Sequence, residues 1–279
     1  MSSEIPAFLL NDERPMPKAG FGVYKITGDE EAARALETAL EAGYRLIDTA
    51  SVYKNEESIG KAIRSSNISR EELFITSKVW NTAQRMGDIE GAFNRSLERL
   101  KLDYVDLYLI HWPVPGCYAE TWKLLENIHQ SGRAKSIGVS NFGISHLEHL
   151  FEISGIIPAV NQIECHPLWN RKELVKYCQE RGIVVQAYAP VARGAYADRE
   201  ILTCIGKKYG KTAVQVGLRW LIQQDIGIIP KSVSKDRILS NIDIFDFDLT
   251  KSEMETIDTL DEHLRTASIP DDMVGQGVE

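Results

Sequence analysis

Eight short apolar runs set the tightest limit on what this chain can fold into. Each is followed by a turn, and most by a longer segment with helical spacing. The runs are PKAGFGV (17–23), YRLIDTA (44–50), LFITSKV (73–79), VDLYLIHW (105–112), AKSIGVS (134–140), AVNQIE (159–164), IVVQAYAP (183–190) and IGIIPKSV (226–233). Helical patterns fill the gaps: DEEAARALETALEAG, NEESIGKAIRSS, GDIEGAFNRSLERLK, YAETWKLLENIHQSG, SHLEHLFEISG, RKELVKYCQERG and KTAVQVGLRWLIQQ, with SKDRILSNI after the last run. Strands that alternate with helices must lie parallel, because a parallel pair needs a crossover element. Eight such units in 279 residues favour an α/β fold of the closed (β/α)8 type, a TIM barrel, over an open doubly wound sheet. A barrel also explains runs that are apolar on both sides, since one side fills the interior and the other meets helices.

Local signals refine this outline. Asp29 is the expected N-cap of the first helix, and Gly43 its close. Residues 5–16 precede the first unit and are expected to form a short N-terminal hairpin over the barrel floor. Segment 250–263 is an additional C-terminal helix, with Thr250 as N-cap and Glu253 at the capping-box position. No linker or short repeat stands out, so residues 1–279 read as a single domain.

Composition removes several function classes. A formal charge of −8 argues against a nucleic-acid partner, which normally meets a basic face. The N-terminus carries an acidic residue and a proline where a signal peptide has a basic start and a longer apolar run. No apolar run approaches the ~20 residues of a membrane helix, so no membrane partner is expected. Cys117, Cys165, Cys178 and Cys204 form no CxxC pair and no zinc spacing, so no metal site is expected. The expectation is a cytoplasmic protein with free thiols.

In a (β/α)8 barrel the chemistry lies at the C-terminal ends of the strands. There the runs place Asp48 with Tyr53 beyond it, then Lys78, His111, Ser140 with Asn141, Gln162, Tyr188, and Lys231 with Ser232. Each has a plainer reading alone: an Asp that caps a helix, a solvated Lys, a structural His. Together, three successive strands deliver Asp48 with Tyr53, Lys78 and His111 to one rim. Lys78 sits between apolar residues and needs a carboxylate, for which Asp48 is the nearest candidate. A free phenol has a pKa of ~10, and a neighbouring ammonium is expected to lower that of Tyr53. Such a phenol exchanges a proton with a carbonyl oxygen that gains a hydride, and His111 can orient the same oxygen. No GxGxxG follows a strand, so a Rossmann-type cofactor site is unsupported. Instead, Lys231, Ser232, Ser234 and Arg237 gather around a helix start after the eighth run, where barrels commonly bind phosphate. A solvated helix start explains that stretch alone equally well.

The segments DTASVYKNEESIG, LFITSKVWN, LDYVDLYLIHWP, SIGVSNF, AVNQIECHP and IPKSVSKDRILSN closely resemble the signatures of the aldo-keto reductases, in the family's order. The short length resembles the microbial and protozoan branch, with its 2,5-diketo-D-gluconic acid reductases and prostaglandin F synthase-like enzymes. The resemblance implies a monomer that reduces small-molecule aldehydes and ketones with NADPH. It implies that Tyr53 is the proton donor, Lys78 and Asp48 the pair that tunes it, and His111 the residue that orients the carbonyl. It further implies carboxamide ligands at Ser140, Asn141 and Gln162, and a stacking ring at Tyr188. Lys231, Ser232 and Arg237 match contacts to a 2′-phosphate, and Asn241 a contact to adenine. Gly22, Val23, Ala189, Val191, Val233 and Ser234 complete the implied cofactor contacts. Tyr24, Trp80 and Trp112 match substrate-pocket walls, although ordinary barrel packing also accounts for Tyr24 and Trp112.

Two stretches depart from the pattern. APVARGAYADRE replaces the usual Ser-Pro-Leu-Gly type of loop, so Ala189 lacks a hydroxyl and Arg193 adds a cation near the expected pyrophosphate. The tail HLRTASIPDDMVGQGVE is shorter than in the larger mammalian members, which predicts an open pocket. Two other readings stay open: a regulatory or structural barrel with little turnover, and a mainly oxidative enzyme using NAD.

Overall fold

The computed structural model describes residues 5–275. Residues 1–4 and 276–279 of the expected 1–279 domain lie outside them. The chain opens with strands β1 (Ala7–Leu9), β2 (Pro15–Pro17) and β3 (Gly20–Gly22), followed by α1 (Asp29–Glu41), β4 (Leu46–Asp48) and α2 (Glu56–Ser65). Next come β5 (Phe74–Val79), α3 (Asn81–Met86), α4 (Ile89–Leu100), β6 (Val105–Ile110), α5 (Tyr118–Gln130), β7 (Ala134–Ser140) and α6 (Ile144–Ile153). The second half holds β8 (Val160–Glu164), α7 (Lys172–Gln179), β9 (Val184–Tyr188), α8 (Glu200–Tyr209), α9 (Ala213–Gln223), β10 (Ile226–Ile228), α10 (Lys235–Ile242) and α11 (Lys251–Asp258).

Strands β3 to β10 form one parallel sheet in sequence order. Its two ends meet: Ala19 bridges Ile228 in parallel, and Ile228 N donates to Lys18 O at 2.8 Å. This is the expected (β/α)8 barrel. Every barrel strand, β3 to β10, lies inside one of the eight apolar runs, but several are shorter. The last run breaks after Ile228 because Pro230 has no N–H to give the ladder. The hairpin is β1 paired antiparallel to β2, with Phe8 opposite Met16. Met16 is fully buried and packs with Leu46, Leu107 and Val160 of the barrel interior, so the hairpin plugs the floor.

Helix ends follow the sequence with two corrections: α11 stops at Asp258, short of the expected 263, and the start of α1 differs. Gly28, not Asp29, is the N-cap of α1; Asp29 accepts instead from Ser58 Oγ and Lys61 Nζ of α2, each at 2.7 Å. Gly43 closes α1 with φ 101°, a conformation other residues adopt at a cost. Thr250 and Glu253 form the expected reciprocal capping box on α11. Two helices lie outside the sequence outline, α3 and α8. Helix α8 reads EILTCIGKKY, whose interior Gly206 weakens the helical signal. That glycine admits the backbone of Lys211, whose carbonyl oxygen stands 2.3 Å from where a Cβ would be. Among the described residues no helix is long and apolar enough to cross a membrane.

Helix α2 carries the loop that presents Tyr53, and it is held close to α4 by Gly60. An added Cβ there would stand 2.3 Å from the Leu100 carbonyl oxygen. Alanine gains about 1 kcal/mol in helix propensity, but a clash with backbone costs about 1–3 kcal/mol. Because Leu100 O cannot rotate away, the clash wins. Gly60→Ala should lower the urea-unfolding midpoint, with a net loss on the order of 1–2 kcal/mol.

Candidate active site

At the C-terminal end of the barrel lies a cavity of about 640 Å³. Its inner end is built by three adjacent strands. Asp48 closes β4, Lys78 lies near the end of β5, and His111 follows β6. Lys78 is wholly buried and its Nζ donates to Asp48 Oδ1 at 2.5 Å and to Thr49 O at 3.0 Å. The same Nζ reaches Tyr53 Oη at 3.5 Å. Asp48 Oδ2 accepts from Gln162 Nε2 at 2.7 Å, and that amide also donates to Gln186 Oε1 at 2.7 Å. Both hydrogens of the Gln162 amide are thereby engaged.

The loop that holds Tyr53 is stitched down on both sides. Ser51 Oγ donates to Lys78 O, and Asn55 Nδ2 donates to Val23 O and Ile26 O. Lys54 takes φ 55° to turn the chain between them. The phenol is thus fixed between two neighbouring loops. The Tyr53 ring stands edge-on to His111 at 5.9 Å between centroids, and the Trp80 ring edge-on to His111 at 4.9 Å. Tyr24 lies 5.0 Å from Tyr53, centroid to centroid. His111 Nδ1 is buried and has no hydrogen-bond partner among the described residues.

Electrostatics correct one expectation. Burial, followed by the Asp48 carboxylate, pushes the Tyr53 phenol well above its ordinary pKa instead of below it. Two features explain the sign. Lys78 sits a full ångström closer to Asp48 than to Tyr53, so its charge is largely answered by the carboxylate. Burial also lowers the pKa of Lys78 itself, against the pull of Asp48. The phenol therefore keeps its proton firmly. Burial and the Lys78 charge hold His111 well below the ordinary imidazole range, so it is neutral at physiological pH.

Gly22, Asn141, Gln162, Tyr188, Ala189, Val191, Lys231 and Trp112 also line the cavity. Tyr188 Oη donates to Asn141 Oδ1 at 2.7 Å, and Asn141 Nδ2 donates to His111 O at 2.9 Å, which ties the ring to the inner site. Several residues singled out in the sequence lie off the cavity wall. Val23 is buried, with its N–H on Asp48 O. Ser140 Oγ donates to Gln162 O at 2.8 Å. Ser232 Oγ accepts from Ser234 N, the N-cap of α10, at 3.1 Å. Val233 is about half exposed, Arg237 is exposed on the first turns of α10, and Asn241 is buried farther along the same helix.

The structure adds wall residues that sequence reasoning missed: Lys25, Val52, Pro190, Ile229 and the tail segment 267–270. Lys25 carried a signal, being two residues past the first run. The tail carried only an Ile-Pro pair in a polar stretch. The short tail nonetheless supplies part of the cavity wall. In the 189–195 loop, Ala189, Ala192 and Arg193 have φ of 46°, 46° and 52°. Left-handed backbone at non-glycine residues costs of order 1–3 kcal/mol each, so this loop is held in place by its surroundings. Tyr196 Oη donates to Pro190 O at 2.8 Å as part of that support.

The donor set suits an anionic, aromatic cofactor. Lys25, Arg193 and Lys231 bring three cations to the cavity, beside the α10 start. Gly22 leaves the Ile229 carbonyl accessible at a spot where a Cβ would stand 3.0 Å away.

Residues 18–262 match the model of the aldo/keto reductase family. Glyoxal reductase of Bacillus subtilis is 47% identical over 259 residues, covering 93% of this chain and 94% of that protein. The 9,11-endoperoxide prostaglandin H2 reductase of Trypanosoma cruzi is 43% identical over 273 residues, covering 97% of this chain and 96% of that protein. Among solved structures, a Bombyx mori aldo-keto reductase in complex with NADP superposes with a TM-score of 0.89 at 39% identity, covering 96% of each chain. With the barrel, the buried Lys–Asp pair beneath a tyrosine and these matches across nearly its whole length, the chain belongs to the aldo/keto reductase family.

Proposed function

We propose that this protein reduces small aldehydes and ketones to alcohols with NADPH, and that Tyr53 is the proton donor. The observation that carries the reading is the buried Lys78–Asp48 pair lying beneath the Tyr53 hydroxyl, with a neutral His111 beside it. When bound, NADPH supplies the hydride. Tyr53 holds a proton at Oη and releases it to the carbonyl oxygen as negative charge develops there. A phenol with a raised pKa remains a competent acid for an alkoxide, which is far more basic, and it does not lose its proton beforehand. Lys78 offers the ammonium that stabilises the phenolate left behind, while Asp48 keeps that ammonium charged and oriented. His111, as a neutral imidazole, donates a hydrogen bond to the same oxygen and fixes its direction. Trp80, Trp112 and Tyr24 keep water from the reacting carbon.

In this reading Tyr188 gives a flat face to the nicotinamide, and Ser140, Asn141 and the Oε1 of Gln162 address its carboxamide. Gly22, Val23, Ala189 and Val191 flank the cofactor. Lys231, Ser232, Val233, Ser234, Arg237 and Asn241 form the adenosine end around the α10 start. In this reading the protein works as a monomer, as the resemblance implies, and in the cytoplasm, as its N-terminus and free cysteines lead us to expect. A barrel without turnover is disfavoured because each of the four inner residues is present and mutually bonded or stacked.

Loss of absorbance at the nicotinamide band tests the reading, with glyoxal, methylglyoxal, sugar-derived ketones, aromatic aldehydes and prostaglandin H2 as substrates. Turnover is expected with at least the dicarbonyls, and none with any of them would refute it. Arg237 probes the cofactor end. Arg237→Ala should weaken NADPH about tenfold or more while changing NADH less than about twofold, because only NADPH has a 2′-phosphate for the guanidinium to meet. Fluorescence titration of both cofactors reads the difference, and equal weakening would move the phosphate contact elsewhere.

A further inference from the structure

Glu164 ends β8 one position before Cys165, with its side chain wholly buried and outside the cavity wall. A buried carboxylate away from the reacting atoms needs partners, and its partners lie a hundred residues on. Glu164 Oε1 accepts from Thr266 N at 2.7 Å, Thr266 Oγ1 at 2.6 Å and Ala267 N at 3.0 Å. Oε2 accepts from Ala267 N at 3.1 Å and faces Arg265 Nε at 3.6 Å, while His166 Nε2 lies 3.2 Å from Oε1. Burial works against the ionised form, but these hydrogen bonds outweigh it and hold the carboxyl below its ordinary range.

What this carboxylate fixes is the start of a strap. Immediately beyond Ala267, residues 268–270 form one wall of the cavity, and Ile269 and Met273 pack on Trp112. Arg265 lies over the rings of Trp112 and Trp169, 5.5 and 5.1 Å from their centroids, and donates to Tyr188 Oη at 3.2 Å. The far end is held differently. Asp272 pairs with Arg85 Nη2 at 2.8 Å, and both side chains are about two-fifths exposed. Exposed pairs contribute little, whereas hydrogen bonds to a buried charge are among the stronger ones. The strap thus has a buried-charge anchor at its start, while its far end rests on the Asp272 contacts with Arg85 and Asn81 and on the buried Met273 side chain.

We propose that Glu164 is the positioning residue of the substrate wall: by clamping the backbone of Thr266 and Ala267 it holds segment 267–270 against Trp112. Through that wall it selects small carbonyl compounds over bulky ones without touching the substrate. The kinetic part rests on the carbonyl-reducing function proposed above; the clamp itself does not.

The test compares wild type with Glu164→Gln, Thr266→Val and Asp272→Asn. In Glu164→Gln an amide takes the place of an all-acceptor group that faces only donors. Amide exchange in the cofactor-free protein at Thr266 and Ala267 should accelerate about tenfold or more. Thr266→Val removes one bond and keeps the carboxylate, so it should accelerate exchange by a few-fold; it preserves the test if Glu164→Gln fails to fold. Asp272→Asn should leave exchange at these two amides within about twofold. In Glu164→Gln, KM for methylglyoxal should rise about five- to tenfold, with kcat and NADPH affinity within about twofold. KM for a two-ring aromatic aldehyde should stay level or fall. Unchanged exchange at both amides, or equal KM shifts for the two aldehydes, would overturn the proposal. Accelerated exchange in a protein that turns over no carbonyl would leave the clamp standing and sink the functional reading instead.

Discussion

Tyr53→Phe should reduce kcat for carbonyl reduction by about 10³-fold, within the range of 10² to 10⁴ expected for a positioned general acid, and leave the NADPH dissociation constant within about twofold. The substitution deletes one oxygen and keeps the ring. The ring contacts with Tyr24 and His111 survive, since both are made by ring faces and edges. Among the described residues, the side-chain hydrogen bond at stake is the long one from Lys78 at 3.5 Å. Folding stability should therefore change by less than about 1 kcal/mol, which separates a chemical loss from a structural one. Stopped-flow or steady-state rates, with cofactor titration and a urea melt on the same preparation, provide all three readings. Wild-type turnover in the variant would refute the assigned role.

The second large effect is on stability. Asp48→Asn keeps the shape of the carboxylate and removes its charge. Lys78 is then a wholly buried ammonium whose remaining partners are the Thr49 carbonyl and the distant phenol. Leaving one partner of a buried pair uncompensated costs about 3–5 kcal/mol, a large share of the ~5–15 kcal/mol that holds a typical domain together. A second change, Lys78→Met added to Asp48→Asn, removes the stranded charge and should recover part of the loss. The pH dependence gives a further signature. The Lys78 pKa is already depressed by burial and falls further without Asp48. The folded state then binds fewer protons than the unfolded one. The deficit of the single variant should shrink as pH rises toward the unfolded Lys value of about 10.4. Urea melts across that range read it, and a deficit independent of pH would mean that Lys78 is not the stranded group.

The barrel was legible in the sequence because strands buried on both faces need continuous apolar runs, and eight of them survive as such from Gly20 to Ile228. The inner site was legible for a related reason: each of its groups sits at or just after a strand end, so topology brings them together. The sign of the Tyr53 shift was not. It depends on Lys78 Nζ standing nearer to Asp48 than to the phenol, a matter of one ångström that no spacing rule encodes. The tail was also hidden. Residues 265–270 have neither helical nor strand periodicity, and what fixes them is a carboxylate at Glu164, far away in sequence. The extra helix α8 escaped because Gly206 interrupts its pattern for the sake of a close backbone approach.

The central claim is that this cavity reduces a carbonyl group with NADPH as the hydride source. The most direct measurement is a stoichiometry: purified protein, NADPH and glyoxal, with cofactor consumption followed by absorbance and the product by NMR. The account predicts one alcohol formed for each NADPH consumed, and the loss of both in Tyr53→Phe. NADPH that binds but is not consumed with any aldehyde offered, or consumption without an alcohol product, would contradict it.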